Sequence, residues 1–271
     1  MDKYLRAKID GFLPVETLLK RFETKRACRN EKKLRIRALA KSSDYTAIVL
    51  IEKLSDCTDE EPCSSLACPE CIRRLRVKMI SQLALFCEDY TEWKFATFIY
   101  YDQMVPELED LDIARLKDKF RKQLQRSGVT DIAIGCFEVD YHPEYQHWMP
   151  HFHLLVRCQN SYSKEWRKVR KIFKEQQIPS DIDIRKRRPV LFQRFKNPLR
   201  QVAYICKFMW QQVEAYYDGS DNRKTKKTRL QPNNFVSSLL MLDSLRLSDL
   251  EFMYGVKRYG AKLRETVRDK K

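Results

Sequence analysis

Apolar positions along the chain follow two different periods, and the switches between them mark out its elements. Up to about residue 45 the pattern reads as helix: Leu13, Val15, Leu18 and Leu19 keep helical spacing around Pro14, and a Lys/Arg-rich run extends over 20–41. Residues 46–51 form a short apolar run of strand length. From residue 94 the pattern becomes regular. Strands are predicted over 94–100, 132–141 and 152–158, where side chains alternate between two faces. Ile113, Leu116, Phe120 and Leu124 predict an amphipathic helix over 111–126, and Trp166, Val169, Ile172 and Phe173 a basic one over 164–176. Residues 181–185 alternate again as a fourth strand. A final long helix is predicted from Leu199 to about Tyr217, opening just after Pro198. Residues 218–231 read as a polar, basic stretch, a mobile linker or a nucleic-acid-touching loop, and the chain beyond 239 as two short basic helices. The order β-α-β-β-α-β-α predicts an α+β fold: a ferredoxin-like antiparallel sheet with helices over one face and one extra helix.

Charge narrows the partners. Fifty-three Lys and Arg against 37 Asp and Glu in 271 residues leave a net charge of +16, which favours a polyanion. The basic residues fall in several clusters rather than on one amphipathic helix, so nucleic acid is expected rather than a membrane surface. The candidate contacts are Arg73, Arg74 and Arg76; Trp166, Arg167 and Lys168; and Arg185, Lys186, Arg187 and Arg188. Trp148 or Trp166 could stack on bases. No run approaches the ~18 apolar residues of a membrane span, and residues 1–6 lead into no apolar run of the signal-peptide kind. A cytoplasmic location is the expectation.

Nine cysteines in that compartment point to metal ligation wherever they cluster. Cys57, Cys63, Cys68 and Cys71 are spaced x5, x4 and x2, and four thiolates make a tetrahedral shell suited to structural Zn²⁺. A redox CxxC would be expected without the two extra cysteines. Cys28, Cys87, Cys136, Cys158 and Cys206 sit among apolar or helical neighbours and read as core. Residues 255–262 faintly resemble a phosphate-binding loop but lack its Gly-Lys-Ser/Thr ending.

His151 and His153 lie two apart on the third strand and therefore share a face. Glu138 and Asp140 alternate on the second strand in the same way. A hairpin turning around residues 144–146 would set Glu138 roughly opposite His153, with Cβ atoms ~5 Å apart. Such an N,N,O shell suits Mn²⁺ or Mg²⁺ with positions left for water and a phosphate. Downstream, Tyr204 and Lys207 are three apart and would share one helix face. A phenol that ordinarily titrates near ~10 needs nearby positive charge to act as a nucleophile, and Lys207 or a bound ion would provide it.

Pro150-His151-Phe152-His153, the upstream Phe137-Glu138-Val139 strand and the downstream Tyr204-x-x-Lys207-Phe208 resemble the HUH endonucleases. The histidine pair precedes the tyrosine, as in single-tyrosine rolling-circle replication initiators of plasmids and phages and unlike conjugative relaxases. Cys68-Pro69-x-Cys71 followed by arginines is similar to a cysteine motif in plasmid initiators. The resemblance covers about residues 57–210. It implies an N-terminal helical and zinc-binding region over 1–90, an HUH endonuclease domain over 91–217, and a basic linker with C-terminal helices over 218–271. It also implies a nickase that joins Tyr204 to a 5′-phosphate of single-stranded or hairpin origin DNA, with a host helicase and DNA polymerase as partners. His151, His153 and Glu138 would be the metal ligands, with Asp140 or His142 as alternatives for the third, and Lys207 would assist Tyr204. A single-strand DNA transposase of the same superfamily shares these residues. A zinc-containing DNA-binding regulator with inert histidines is the reading from a different class.

Overall fold

The computed structural model describes residues 14–89, 91–180, 182, 187–220, 222–260 and 262–266. Its N-terminal part is helical: α1 (Val15–Leu18), α2 (Lys25–Leu39), α3 (Tyr45–Ser55) and α4 (Pro69–Phe86). The apolar run at 46–51, expected as a strand, lies inside α3. Short apolar runs do not distinguish the two by period; here Asp44 decides, its carboxylate accepting from the Thr46 backbone N–H at 2.8 Å as an N-cap. Ala47, Leu50 and Leu54 then fall on one buried face.

The sheet follows, with β1 (Trp93–Ile99), α5 (Ile113–Ser127), β2 (Ile132–His142), β3 (His147–Arg157), α6 (Lys164–Lys174) and β4 (Val190–Arg194). Asp112 caps α5 through the Arg115 N–H, and Gly128, at φ 80, closes it in the left-handed conformation that glycine adopts without strain. The four strands lie in the order β4-β1-β3-β2, every pair antiparallel. Of the strand expected at 181–185 only Ile182 is described, and it belongs to no strand; 181 and 183–185 lie outside the described residues, and β4 pairs with β1.

Beyond β4 the chain departs further from its periodicity. The helix expected to reach Tyr217 is only α7 (Pro198–Ile205). It stops at Cys206, and Phe208 takes a positive φ of 47, which no helix continues through. Residues 212–217 alternate and become β5 (Gln212–Tyr217), which pairs with β6 (Arg223–Thr228) in the stretch expected to be a mobile linker. β5 touches β2 in parallel through Tyr141 and Gln212, so the sheet is mixed. In place of two C-terminal helices come α8 (Pro232–Ser244), α9 (Leu247–Leu250), β7 (Glu251–Tyr254), and the hairpin of β8 (Val256–Tyr259) and β9 (Lys262–Glu265). β7 pairs with β2, setting Phe252 against Gly135.

One face of the sheet carries an aromatic core. Phe98, Phe137 and Phe152 point into it from three adjacent strands and meet Phe120 of α5 and Phe173 of α6. Phe252 closes it at 4.9 Å from Phe120 and 5.3 Å from Phe152. Each such ring contributes roughly 1.5–3 kcal/mol of burial. Gly135 is required where β2 and β3 come together, because a Cβ there would stand 2.1 Å from the His153 carbonyl oxygen. The opposite face is also covered, since α7 packs between α4 and β3. That is the face on which His151 and His153 lie.

Candidate active site

The β2–β3 register fixes the site. Glu138 pairs with His151, Cys136 with His153, and Asp140 with Met149. Glu138 therefore faces His151 directly and reaches His153 on the diagonal, two residues away from the expected register. The turn at residues 143–146, with Gln146 at a φ of 54, sets this pairing. Glu138, His151 and His153 are all buried, and their ligand atoms lie within 4.8 Å of one another. Glu138 Oε2 is 3.7 Å from His151 Nε2 and 3.8 Å from His153 Nε2.

Outer contacts fix which nitrogen faces inward. His151 Nδ1–H donates to the Met149 carbonyl at 3.2 Å, which leaves the Nε2 lone pair turned towards Glu138. His153 Nδ1 lies 3.0 Å from Thr97 Oγ1 on β1, its register partner. Glu138 Oε1 and His153 Nε2 are buried without a hydrogen-bond partner. Lone pairs and a carboxylate converging in a buried space repel one another unless a cation sits among them. This donor set fits a divalent ion with two imidazoles and one carboxylate, the far ring nitrogens bonded to backbone or side-chain oxygens as those of metal-bound histidines commonly are.

Charge at the site agrees. Burial pushes Glu138 up, but the Lys207 ammonium beside it outweighs that and holds the carboxyl below its usual range. Burial, with His151 beside it, pushes His153 down to about 3, so it is neutral and able to ligate at neutral pH. Asp140 is 3.9 Å from His151 Nε2, but its oxygens are already engaged, Oδ2 by the Lys227 ammonium at 2.6 Å and Oδ1 by the Gln211 backbone N–H at 3.1 Å. His142 stacks on Tyr145, and burial lowers it to about 4.

Tyr204 stands at the rim, 39% exposed, on the last turn of α7. Its ring centroid is 4.9 Å from that of His153 and 6.0 Å from that of Phe95. Lys207 does not share a helix face with it, because α7 ends at Ile205. The turn through Phe208 carries Lys207 inward instead, 3.4 Å from Glu138 Oε2 and donating to Gln211 Oε1 at 2.9 Å. The cation at the phenol oxygen is Lys227 of β6, 3.4 Å away. Burial raises the Tyr204 phenol and Lys227 opposes that rise. Sequence periodicity missed Lys227, Gln211 and Thr97. Lys227 sits in a run of polar residues whose position depends entirely on pairing with β5.

The four cysteines also converge. The Sγ atoms of Cys57 and Cys71 are 3.5 Å apart, those of Cys63 and Cys71 and of Cys57 and Cys68 3.6 Å. These distances far exceed a disulfide bond and approach the ~3.8 Å edge of a tetrahedral Zn–S shell. Cys68 occupies the N-cap position of α4 and Cys71 lies in its first turn, where the helix dipole favours thiolates. Hydrogen bonds from Cys63 and Cys68, and the Arg74 guanidinium, pull Cys71 far below the ordinary thiol range.

The expected nucleic-acid contacts are dispersed. Arg73 bonds the Glu23 carbonyl and pairs with Glu16. Arg76 pairs with Glu23, lies over Phe22 and reaches the Ala203 carbonyl beside Tyr204. Arg74 bonds Cys71 and Asp59. Trp166 is fully buried, its Nε1–H donating to Asp131 at 2.7 Å, which leaves no ring face for a base. Trp148 is buried against Tyr141. Arg167, Lys168, Arg187 and Arg188 are exposed, while Arg185 and Lys186 lie outside the described residues. No helix among the described residues is long and apolar enough to cross a membrane.

Over 108 residues the chain is 30% identical to a curated protein of Staphylococcus aureus, a stretch covering 37% of this chain and 47% of the relative. That relative is "Protein rep". The chain thus spans about half the length of the Protein rep it matches. No family model matches the chain, and no solved structure matches it.

Proposed function

We propose that the chain is a replication initiator of the rolling-circle type that nicks and rejoins single-stranded DNA through Tyr204. The observation that carries this is the convergence of Glu138, His151 and His153, in which Glu138 Oε1 and His153 Nε2 are buried without a hydrogen-bond partner and the His153 ring lies 4.9 Å from that of Tyr204. Similarity to a protein named rep supports the replication setting, and the strand order β4-β1-β3-β2 supports a ferredoxin-like core of the HUH kind. The endonuclease unit would be residues 91–217, with β7 from beyond it completing the sheet. The cysteine cluster in 1–90 would hold a structural Zn²⁺, and a host helicase and polymerase would act on the nicked origin.

In this reading Glu138, His151 and His153 bind Mn²⁺ or Mg²⁺, which when present polarises the scissile phosphate. Lys207 keeps Glu138 ionised and oriented. The Tyr204 oxygen bonds to phosphorus as the P–O3′ bond breaks, and the phenol proton is delivered overall to the departing 3′-oxygen. A 5′-phosphotyrosine and a free 3′-hydroxyl result. One phosphoester replaces another, so the step is near energy-neutral and runs backwards to rejoin ends.

The test is to incubate the protein with labelled single-stranded oligonucleotides and Mn²⁺ and to resolve covalent adducts by denaturing electrophoresis. The wild type should form an adduct that Tyr204→Phe and His151→Ala abolish while DNA binding persists. An adduct that survives Tyr204→Phe would remove the nucleophile assignment. Binding without an adduct on any sequence would favour the non-catalytic DNA-binding regulator.

A further inference from the structure

The β5–β6 hairpin brings to the site a cation that its sequence gives no reason to place there. Lys227 lies on β6 opposite Val213 of β5, and its ammonium makes two contacts. It is 2.6 Å from Asp140 Oδ2 and donates to Tyr204 Oη at 3.4 Å. Asp140 is 3% exposed and its other oxygen accepts from the Gln211 backbone N–H, so the carboxylate is fixed and fixes the ammonium in turn. Both ammonium groups lie near the Tyr204 ring, Lys207 5.6 Å and Lys227 5.8 Å from its centre, but Lys207 directs its ammonium to Glu138 and Gln211.

We propose that Lys227 is a catalytic residue, the group that stabilises negative charge on the Tyr204 oxygen, with Asp140 as its positioning residue, while Lys207 serves Glu138. This rests on the tyrosine-nickase reading above. In cleavage the Tyr204 oxygen gives up its proton and bonds to phosphorus. In rejoining, that Oη–P bond breaks as the 3′-oxygen attacks, and the phenol oxygen takes up charge as the leaving group. Both directions share one transition state, so a fixed ammonium at Oη assists both. Lys227 keeps its three protons throughout. The chemistry therefore depends on a hairpin from outside the strands that carry the histidines.

The experiment measures the single-turnover rate of adduct formation and, separately, the affinity for an uncleaved oligonucleotide. Lys227→Met should slow adduct formation about 10²-fold, the loss typical of one preorganised donor, with affinity changed less than threefold. Lys227→Arg should recover much of the rate, and added ethylamine should accelerate Lys227→Ala. Because Lys227→Met also strands a buried carboxylate, the double variant Lys227→Met/Asp140→Asn separates the roles. It should remain slow if Lys227 acts on the tyrosine oxygen; recovery of the wild-type rate would reduce Lys227 to a counter-ion for Asp140 and overturn the proposal. A Lys227→Met rate equal to wild type would also overturn it. If the wild type forms no Tyr204 adduct, the nickase reading fails and this inference falls with it.

Discussion

At the scale of single residues, the site is set by which nitrogen of each histidine is bare. The Met149 carbonyl can only accept, so His151 Nδ1 carries a proton and Nε2 faces Glu138. Thr97 Oγ1 lies 3.0 Å from His153 Nδ1 and orients its ring, the hydroxyl being able to donate or to accept. Partners that orient a metal-bound histidine in this way are typically worth 10–100-fold in metal affinity. Thr97→Val, nearly isosteric, should therefore weaken Mn²⁺ binding by that factor in calorimetric titration without unfolding the chain; unchanged affinity would mean that the threonine does not orient His153. The histidine pair and Glu138 were legible in the sequence because alternation on a strand fixes which side chains share a face. The pairing partner was not. Glu138 faces His151 rather than His153 because register depends on where the turn closes, and one residue at the tip shifts every pair. Lys227 was hidden for a related reason, since an all-polar strand carries no periodicity to read.

At the scale of elements, the helix that carries Tyr204 is held from two sides. α7 lies between β3 and α4, and α4 begins at the cysteine cluster. Arg76 of α4 also reaches the Ala203 carbonyl beside Tyr204. Metal at the four thiols would thus help to position Tyr204 at a distance. The purified protein is expected to contain one zinc per chain by elemental analysis, and Cys68→Ser should lower both zinc content and melting temperature. Loss of zinc with an unchanged melting temperature would confine the cluster to a local role. On the other side, Gly135 allows β2 and β3 to approach where the His153 carbonyl would meet a Cβ at 2.1 Å. Gly135→Ala should push the strands apart, lowering stability by several kcal/mol and Mn²⁺ affinity with it, read by denaturant titration and calorimetry. The helix expected to run to Tyr217 failed for a reason at this scale. Apolar and aromatic residues at 205–217 satisfy a helical stripe as well as an alternating strand, and tertiary pairing of β5 with β6 decides between them.

At the scale of the whole molecule, remote segments share one core. β7 adds to β2, Phe252 enters the aromatic cluster between Phe120 and Phe152, and α8 packs on α2 and α3 with Lys53 bonding Asp243 at 2.7 Å. These long-range contacts lie beyond any window of periodicity, so the C-terminal strands were not legible, whereas the central β-α-β-β-α order was. The net charge of +16 belongs to this scale too. Arg73, Arg74 and Arg76 are engaged within the chain, so attraction for a polyanion would fall to exposed positions such as Arg167, Lys168 and Arg188. Binding to a single-stranded oligonucleotide should weaken with salt, log Kd rising linearly with log salt by about 0.7 per phosphate contacted. Replacing Arg167 and Lys168 together should reduce that slope; a slope near zero in the wild type would rule out an electrostatic DNA surface.

The central claim is that Glu138, His151 and His153 hold one divalent ion beside Tyr204. Anomalous diffraction at the manganese edge, from crystals grown with Mn²⁺, tests it most directly. The expected result is a single strong peak within bonding distance of His151 Nε2, His153 Nε2 and a Glu138 carboxylate oxygen, on the Tyr204 side of the sheet. Density showing these three side chains well ordered with no manganese peak among them would contradict it.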